Sequence, residues 1–369
     1  MTEITKPTFV VNKEICLANI EKMARKAETC GMRFRPHFKT HQSAEIGEWF
    51  RNYGVNAITV SSVSMASYFA GYGWEDITIA FPVNILEIGA INDLAGKIEL
   101  NLLVENEGTM TFLAKKLTAR AGIYIETDTG YHRSGIETVK PEKMDKLIEI
   151  MKNNRQMSFK GFLSHTGQTY SARSRQEIVN RHSDALMKMR SLKQHYQSVW
   201  PEIEISLGDT PACSVCDNWE GVDEMRPGNF VFYDLMQFEL DVCRAEDIAA
   251  TLYCPVVSKS IMRNEVVVYG GAVHLSKEYI IGANGKKCYG AAITLNPDTQ
   301  HKEISRNFRV AGLSQEHGVL RGDYDDIKNL HPGDLLEIIP VHSCLTADLA
   351  GYYLTTRGEV IEKMSKRDF

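Results

Sequence analysis

Three short stretches gather residue types that could do chemistry together. RPHFKTHQ, residues 35–42, crowds His37, Lys39 and His41 beside Arg35, just past a hydrophobic approach. A lysine held between desolvating strand walls and near other cations has a lowered pKa and attacks carbonyls, which makes Lys39 a candidate for Schiff-base chemistry. SLGDTP, residues 206–211, sets Gly208 and Thr210 where backbone N–H groups and a hydroxyl can cradle a phosphate without a cationic side chain. PVHSC, residues 340–344, spaces His342 and Cys344 two apart, so that on an extended strand they share one side. Imidazole with thiolate suits zinc, and two protein ligands leave positions for water or a substrate oxygen, as a catalytic site requires.

An imine-forming lysine and a phosphate seat are useful only on the same rim, and the elements around them predict one. From residue 32 to about residue 232 a short apolar or β-branched run is followed again and again by a longer amphipathic stretch. MRFRPHF, NAITVSS, DITIAF, ELNLLV, GIYIETD, FKGFLSH, EISLGD and EMRPGNF are eight strand candidates, and eight such units predict a (β/α)8 TIM-type barrel over residues 13–240. Later, TLYCPVVSKSI, NEVVVYGGAVHL, GAAITL and DLLEIIPVH alternate with Gly, Pro and Asn turns without helices. They predict a mainly antiparallel β domain over residues 241–369, which residues 1–12 join through FVVN.

Reactive groups of a barrel gather at the C-terminal ends of its strands. Here those ends carry His37, Lys39 and His41, then Asp128 and Arg133, then His165, Gln168 and Tyr170, then Gly208 and Thr210, and finally Asn229, Tyr233 and Asp234. Lysine and phosphate seat on one rim point to pyridoxal 5'-phosphate, whose aldehyde and phosphate need both.

Composition narrows the partners. The chain has 369 residues, a net charge of −5 and a pI near 6.2, which gives no electrostatic case for nucleic acid or an anionic membrane. No signal-peptide pattern and no stretch of about 18 apolar residues occurs, so a cytoplasmic protein acting on a small molecule is expected. The eight cysteines are irregularly spaced and read as free thiols, and the pair Cys213 and Cys216 lacks both a second ligand pair and a redox setting. His182 and His195, with Arg173, Arg175 and Arg181, read as the solvated face of a helix. His274, His301, His317 and His331 receive no role.

RPHFKTH, DTGYHRSG, SHTGQTY, SLGDTP, RPGNFVFYD and PVHSC occur in the order seen in the D-threonine aldolase and D-serine dehydratase family, fold-type III pyridoxal-phosphate enzymes related to alanine racemase. The chain resembles that family over nearly its whole length. The resemblance implies that Lys39 carries the cofactor as a Schiff base, with Lys39, Tyr170 and Arg133 as the catalytic set. It implies cofactor contacts from His37, His165, Gly208, Thr210, Asn229 and Tyr233, and a divalent metal on His342 and Cys344, zinc first with manganese or magnesium as alternatives. Gln168 stands where the family often has His. His-x-Cys is the metal pair of the dehydratases, whereas the aldolases show His-x-Asp, so the resemblance leans to dehydration of a D-3-hydroxy amino acid by a homodimer. Retro-aldol cleavage, racemisation and non-catalytic cofactor carriage remain alternatives, although carriers resemble the barrel alone.

Overall fold

The computed structural model describes residues 4–152, 154–282, 285–295 and 302–365. Two compact units emerge: Ile20–Gly228 with Met364–Phe369, and Met1–Asn19 with Asn229–Lys363.

The N-terminal strand β1 (Thr8–Val11) belongs to the second of these. The first holds the strands β2 (Arg33–Phe34), β3 (Ala57–Val60), β4 (Asp76–Pro82), β5 (Glu99–Val104), β6 (Ala121–Asp128), β7 (Met157–Ser164), β8 (Glu204–Leu207) and β9 (Glu224–Met225). All eight expected runs are strands, paired in parallel in the order β2-β9-β8-β7-β6-β5-β4-β3. The sheet closes where His37, past the end of β2, bridges Thr59 of β3, with Phe38 N donating to Thr59 O and Thr59 N to Pro36 O, each at 2.9 Å. Helices between the strands start on Ser43, Ser62, Asn106, Ser174 and Asp209, whose side chains accept first-turn N–H groups that otherwise lack partners.

Alternate strand residues point inward. Here they form a layer of charge in place of the usual branched apolar filling. Arg35, 1% exposed, donates through Nε to Glu224 Oε2 at 2.6 Å and through both Nη atoms to Asp76, at 2.6 and 2.9 Å. Tyr124 Oη donates to Glu204 at 2.5 Å and Ser206 Oγ to Glu224 at 2.6 Å. This layer is a polar floor toward the N-terminal end of the barrel, where Asp76, Glu204 and Glu224 each begin a strand.

The second unit is antiparallel except where β1 meets its C-terminal neighbour. It adds β10 (Ala250–Ser260), β11 (Glu265–Tyr269), β12 (Gly290–Leu295), β13 (Lys302–Leu313), β14 (His317–Arg321), β15 (Leu335–Pro340), β16 (Tyr353–Thr355) and β17 (Val360–Ile361). The order is β11-β14-β13-β12-β15-β10-β1-β16-β17, and β10 pairs also with β11, which closes six strands into a small barrel. Two features depart from the sequence reading. GGAVHL is not strand: β11 stops at Tyr269, and Ala272–Leu275 is a helical turn after the Gly270-Gly271 pair. β13 and β14 were not anticipated, because KEISRNFRVAGL mixes charge into both faces. No helix among the described residues is long and apolar enough to cross a membrane.

Candidate active site

The expected site residues fall into two groups. His37, Lys39, Arg133, His165, Tyr170, Gly208 and Thr210 lie in the barrel unit; Asn229, Tyr233, His342 and Cys344 lie in the β unit.

In the barrel, β2 ends at Phe34 and the chain turns through HFKT against Gly228, where a Cβ would meet His37 Cβ and O at 3.0 Å and Thr40 Oγ1 at 3.1 Å. That close approach requires glycine at 228. Lys39 is exposed at the mouth, and its backbone N–H donates to His37 Nδ1 at 3.3 Å. Burial first, then the charges of Lys39, Arg226 and their neighbours, hold the His37 imidazole well below its ordinary pKa. The same causes bring His165 down to about 3, although its Nδ1 donates to Gly208 O at 3.4 Å. Two neutral rings therefore stand among three cationic side chains, Lys39, Arg133 and Arg226.

Arg226 was not singled out from the sequence, although it sits two residues from both Glu224 and Gly228 on the inward-facing side of its strand. It is 5% exposed and donates to Ser206 Oγ and to Ser164 O, the latter at 2.8 Å. A guanidinium stays charged there at any physiological pH. Gly208 has φ +154°, and a Cβ on it would meet Arg226 N at 2.9 Å, so the SLGDTP turn can pass this strand only as glycine. Thr210 is enclosed: its Oγ1 accepts from Gly228 N at 3.3 Å, and its own N–H donates to the Tyr170 hydroxyl at 3.4 Å.

Arg133 sits in a loop shaped by carboxylates. Asp128 Oδ1 accepts the N–H groups of Gly130, Tyr131 and His132 at 2.8, 3.0 and 3.1 Å, while Oδ2 pairs with His132 Nδ1 at 2.7 Å. Glu126, one layer below and pushed up in pKa chiefly by burial, accepts Ser134 Oγ at 2.8 Å. The loop leaves Arg133 exposed with its guanidinium 5.1 Å above the Tyr131 ring, and that ring meets His165 edge-on at 5.6 Å.

In the β unit His342 and Cys344 are not on an extended strand, as their spacing had suggested. β15 ends at Pro340, His342 is the N-cap of the helix Ser343–Leu349, and Cys344 lies in its first turn. The turn still joins them: burial opposes a proton on His342, but its hydrogen bond to Cys344 and the charges of Cys344 and Asp234 raise it to about 9. Asn229 Nδ2 reaches Asp234 Oδ2 at 2.7 Å, Ser343 Oγ at 2.8 Å and Cys344 Sγ at 3.4 Å. Tyr233, 3% exposed with φ +48°, lies four residues on.

These donor sets fit the groups the sequence implied. An exposed amine, a cationic wall around neutral imidazoles, and an oxygen already accepting from Thr210 N–H suit an anionic phosphorylated aldehyde. Imidazole and thiol in contact suit a divalent metal, and among the described residues no cluster of three or more His, Cys, Asp or Glu able to hold a metal occurs. Bystanders divide. His195 is exposed, but His182 is 1% exposed with Nε2 donating to Asn218 O at 2.8 Å, because its position on the long helix faces Trp219. His301 lies outside the described residues.

Residues 11–235 match the alanine racemase N-terminal domain, and residues 249–356 match a serine dehydratase domain. The chain is 28% identical to D-serine dehydratase of Dictyostelium discoideum over 96% of this chain and 93% of the relative. It is 27% identical to D-threo-3-hydroxyaspartate dehydratase of Delftia sp. (strain HT23), over 92% and 91%. That enzyme's structure aligns with a TM-score of 0.88 at 24% identity, covering 99% of this chain and 98% of the other, and a mutant of it has been solved in a metal-free form. D-threonine aldolase from Filomicrobium marinum aligns at 0.82 with 19% identity, over 98% and 97%. The fold is alanine racemase-like, a parallel eight-stranded barrel with an antiparallel β domain, and pyridoxal phosphate is the cofactor expected of this fold family.

Proposed function

Because the chain belongs to the alanine racemase N-terminal domain family, we propose that it is a pyridoxal-phosphate-dependent lyase that dehydrates a D-3-hydroxy amino acid to a 2-oxo acid and ammonia. The observation that carries dehydration is the contact of Cys344 with His342. A soft thiolate beside imidazole favours zinc over manganese or magnesium, and relatives at 27–28% identity are named dehydratases.

Lys39 would hold the cofactor through Nζ, with Thr210 and Tyr170 at its phosphate and His37, His165 and Arg133 along its walls. When bound, the cofactor supplies a sink for the electron pair left on Cα. The Lys39 amine, exposed at the mouth of the barrel, would be the base that takes the Cα proton. His37 and His165, whose basicity burial lowers far below that of an ordinary imidazole, do not compete for that proton. His342 and Cys344 would hold the metal, which supplies Lewis acidity for departure of the β-hydroxyl; Asn229, by donating to Cys344, orients the sulfur. Eight free thiols suit a reducing compartment such as the cytoplasm, and the family resemblance supports a homodimer. Retro-aldol cleavage to glycine and an aldehyde is the second reading, supported by the aldolase of similar fold.

Incubation of the purified protein and pyridoxal phosphate with D-serine, D-threonine and D-3-hydroxyaspartate, with and without zinc or manganese, separates the two. Metal-dependent 2-oxo acid and ammonia are expected; glycine without 2-oxo acid would establish the aldolase instead.

A further inference from the structure

Tyr170 stands in a turn that two charged side chains grip from opposite ends. The turn, Gly167–Ser171, follows β7 and His165. On its inner side Asp209, 2% exposed, accepts Thr169 Oγ1 at 2.7 Å and Ala212 N at 2.8 Å through Oδ1, and the Thr166 hydroxyl through Oδ2. On its outer side Arg181, from the helix Arg175–Tyr196, donates to the carbonyl oxygen of Gln168 and, at 2.7 Å, to Ser171 Oγ, and is itself held by Glu177. Arg181 had read as part of a solvated face, yet only 28% of its side chain is exposed.

Residues 166, 168, 169 and 171 are thus pinned, and Tyr170 between them has little freedom to move its hydroxyl from Thr210 N, 3.4 Å away. Keeping Asp209 there has a cost, for burial pushes its carboxyl up to about 6. Because Asp209 also caps the helix that begins at Thr210, one buried carboxylate ties the Tyr170 turn to the residue whose N–H the Tyr170 hydroxyl accepts, while the Arg181 guanidinium holds the turn from outside. We propose that Arg181 and Asp209 are positioning residues that fix the Tyr170 hydroxyl in the phosphate seat. This deepens the cofactor reading above and rests on it.

The test titrates the metal-free, cofactor-free wild type, R181A, Y170F, T169V and the double variant R181A/Y170F with pyridoxal 5'-phosphate and, separately, with pyridoxal, following the yellow absorbance. R181A should weaken the phosphorylated form roughly tenfold, the size of one lost hydrogen bond, and pyridoxal less than about twofold. In the Y170F background the further loss from R181A should shrink to less than about twofold, because both changes remove the same contact. T169V, which takes one donor from Asp209 without changing shape, should lower the ratio of the two affinities in the same direction. Equal losses for both aldehydes, an R181A effect undiminished by Y170F, or unchanged ratios in R181A and T169V would overturn the inference while leaving the cofactor reading intact. A wild type that takes up neither aldehyde would overturn both.

Discussion

The amide nitrogen of Asn229 lies 3.4 Å from the sulfur of Cys344, on the residue that also meets His342. Sulfur, imidazole and amide come from segments 115 residues apart in sequence and are joined by the turn after β15. If the pair holds the metal, C344A should lose bound metal and at least about a hundredfold in product formation, the scale expected when a Lewis acid is removed. Yellow colour should remain. Chelation should reproduce the loss and zinc should reverse it in the wild type alone; metal content by elemental analysis, beside the product assay, checks both.

Acid should destabilise the fold early. Burial holds His41 and His165 at about 3 and His37 well below its usual value, so the unfolded chain binds their protons first as pH falls from 6.5. Stability from these groups is fully present above pH 6.5 and is lost progressively toward pH 3, at up to about 1.4 kcal/mol per pH unit for each. Asp209, raised to about 6, works in the opposite direction between pH 4 and 6, as do Glu126 and Asp234, also raised chiefly by burial, whereas His182, lowered by burial, adds to the histidines. Urea unfolding at a series of pH values should show the midpoint falling below pH 6.5; a flat midpoint down to pH 4 would contradict this.

The barrel floor makes a sharper demand. R35M leaves Glu224, wholly buried, with less of its charge answered and frees Asp76 from two hydrogen bonds. Removing one partner of a buried ion pair costs about 3–5 kcal/mol. Denaturant titration should place R35M in that range, with R35K only partly restoring it because an ammonium cannot answer both carboxylates with a planar fork.

Glycine at 161 is a steric requirement. Its φ is +143°, and a Cβ there would lie 1.9 Å from Glu204 O on the neighbouring strand. G161A should therefore destabilise by more than about 2 kcal/mol, or fail to accumulate as folded protein, as thermal unfolding would show.

What could be read beforehand follows physical lines. The barrel was legible because parallel strands buried on both faces leave unbroken runs such as AITV and LNLLV, separated by helix caps. β13 was not, since its faces carry Arg306 and Arg309 beside Phe308 and Val310, and no period of two survives a bulge. Lys39, Thr210, His342 and Cys344 could be proposed from residue type at predicted strand ends. Arg226 and Asp209 did not: RPG and GDT look like ordinary turns until adjacent strands and the 166–171 segment close on them. Arg181 failed for a related reason, because helix periodicity shows which face is polar but not that a carbonyl waits opposite it.

Reading Lys39 as the cofactor's anchor is the claim on which the rest stands. The direct measurement is the absorbance spectrum of purified wild type and K39A after addition of pyridoxal 5'-phosphate and gel filtration, followed by borohydride reduction and peptide mass analysis. The account predicts a retained yellow band in the wild type, reduced onto the peptide that contains residue 39, and no covalently retained cofactor in K39A. A colourless wild type, or a pyridoxyl group found on a different lysine, would contradict it.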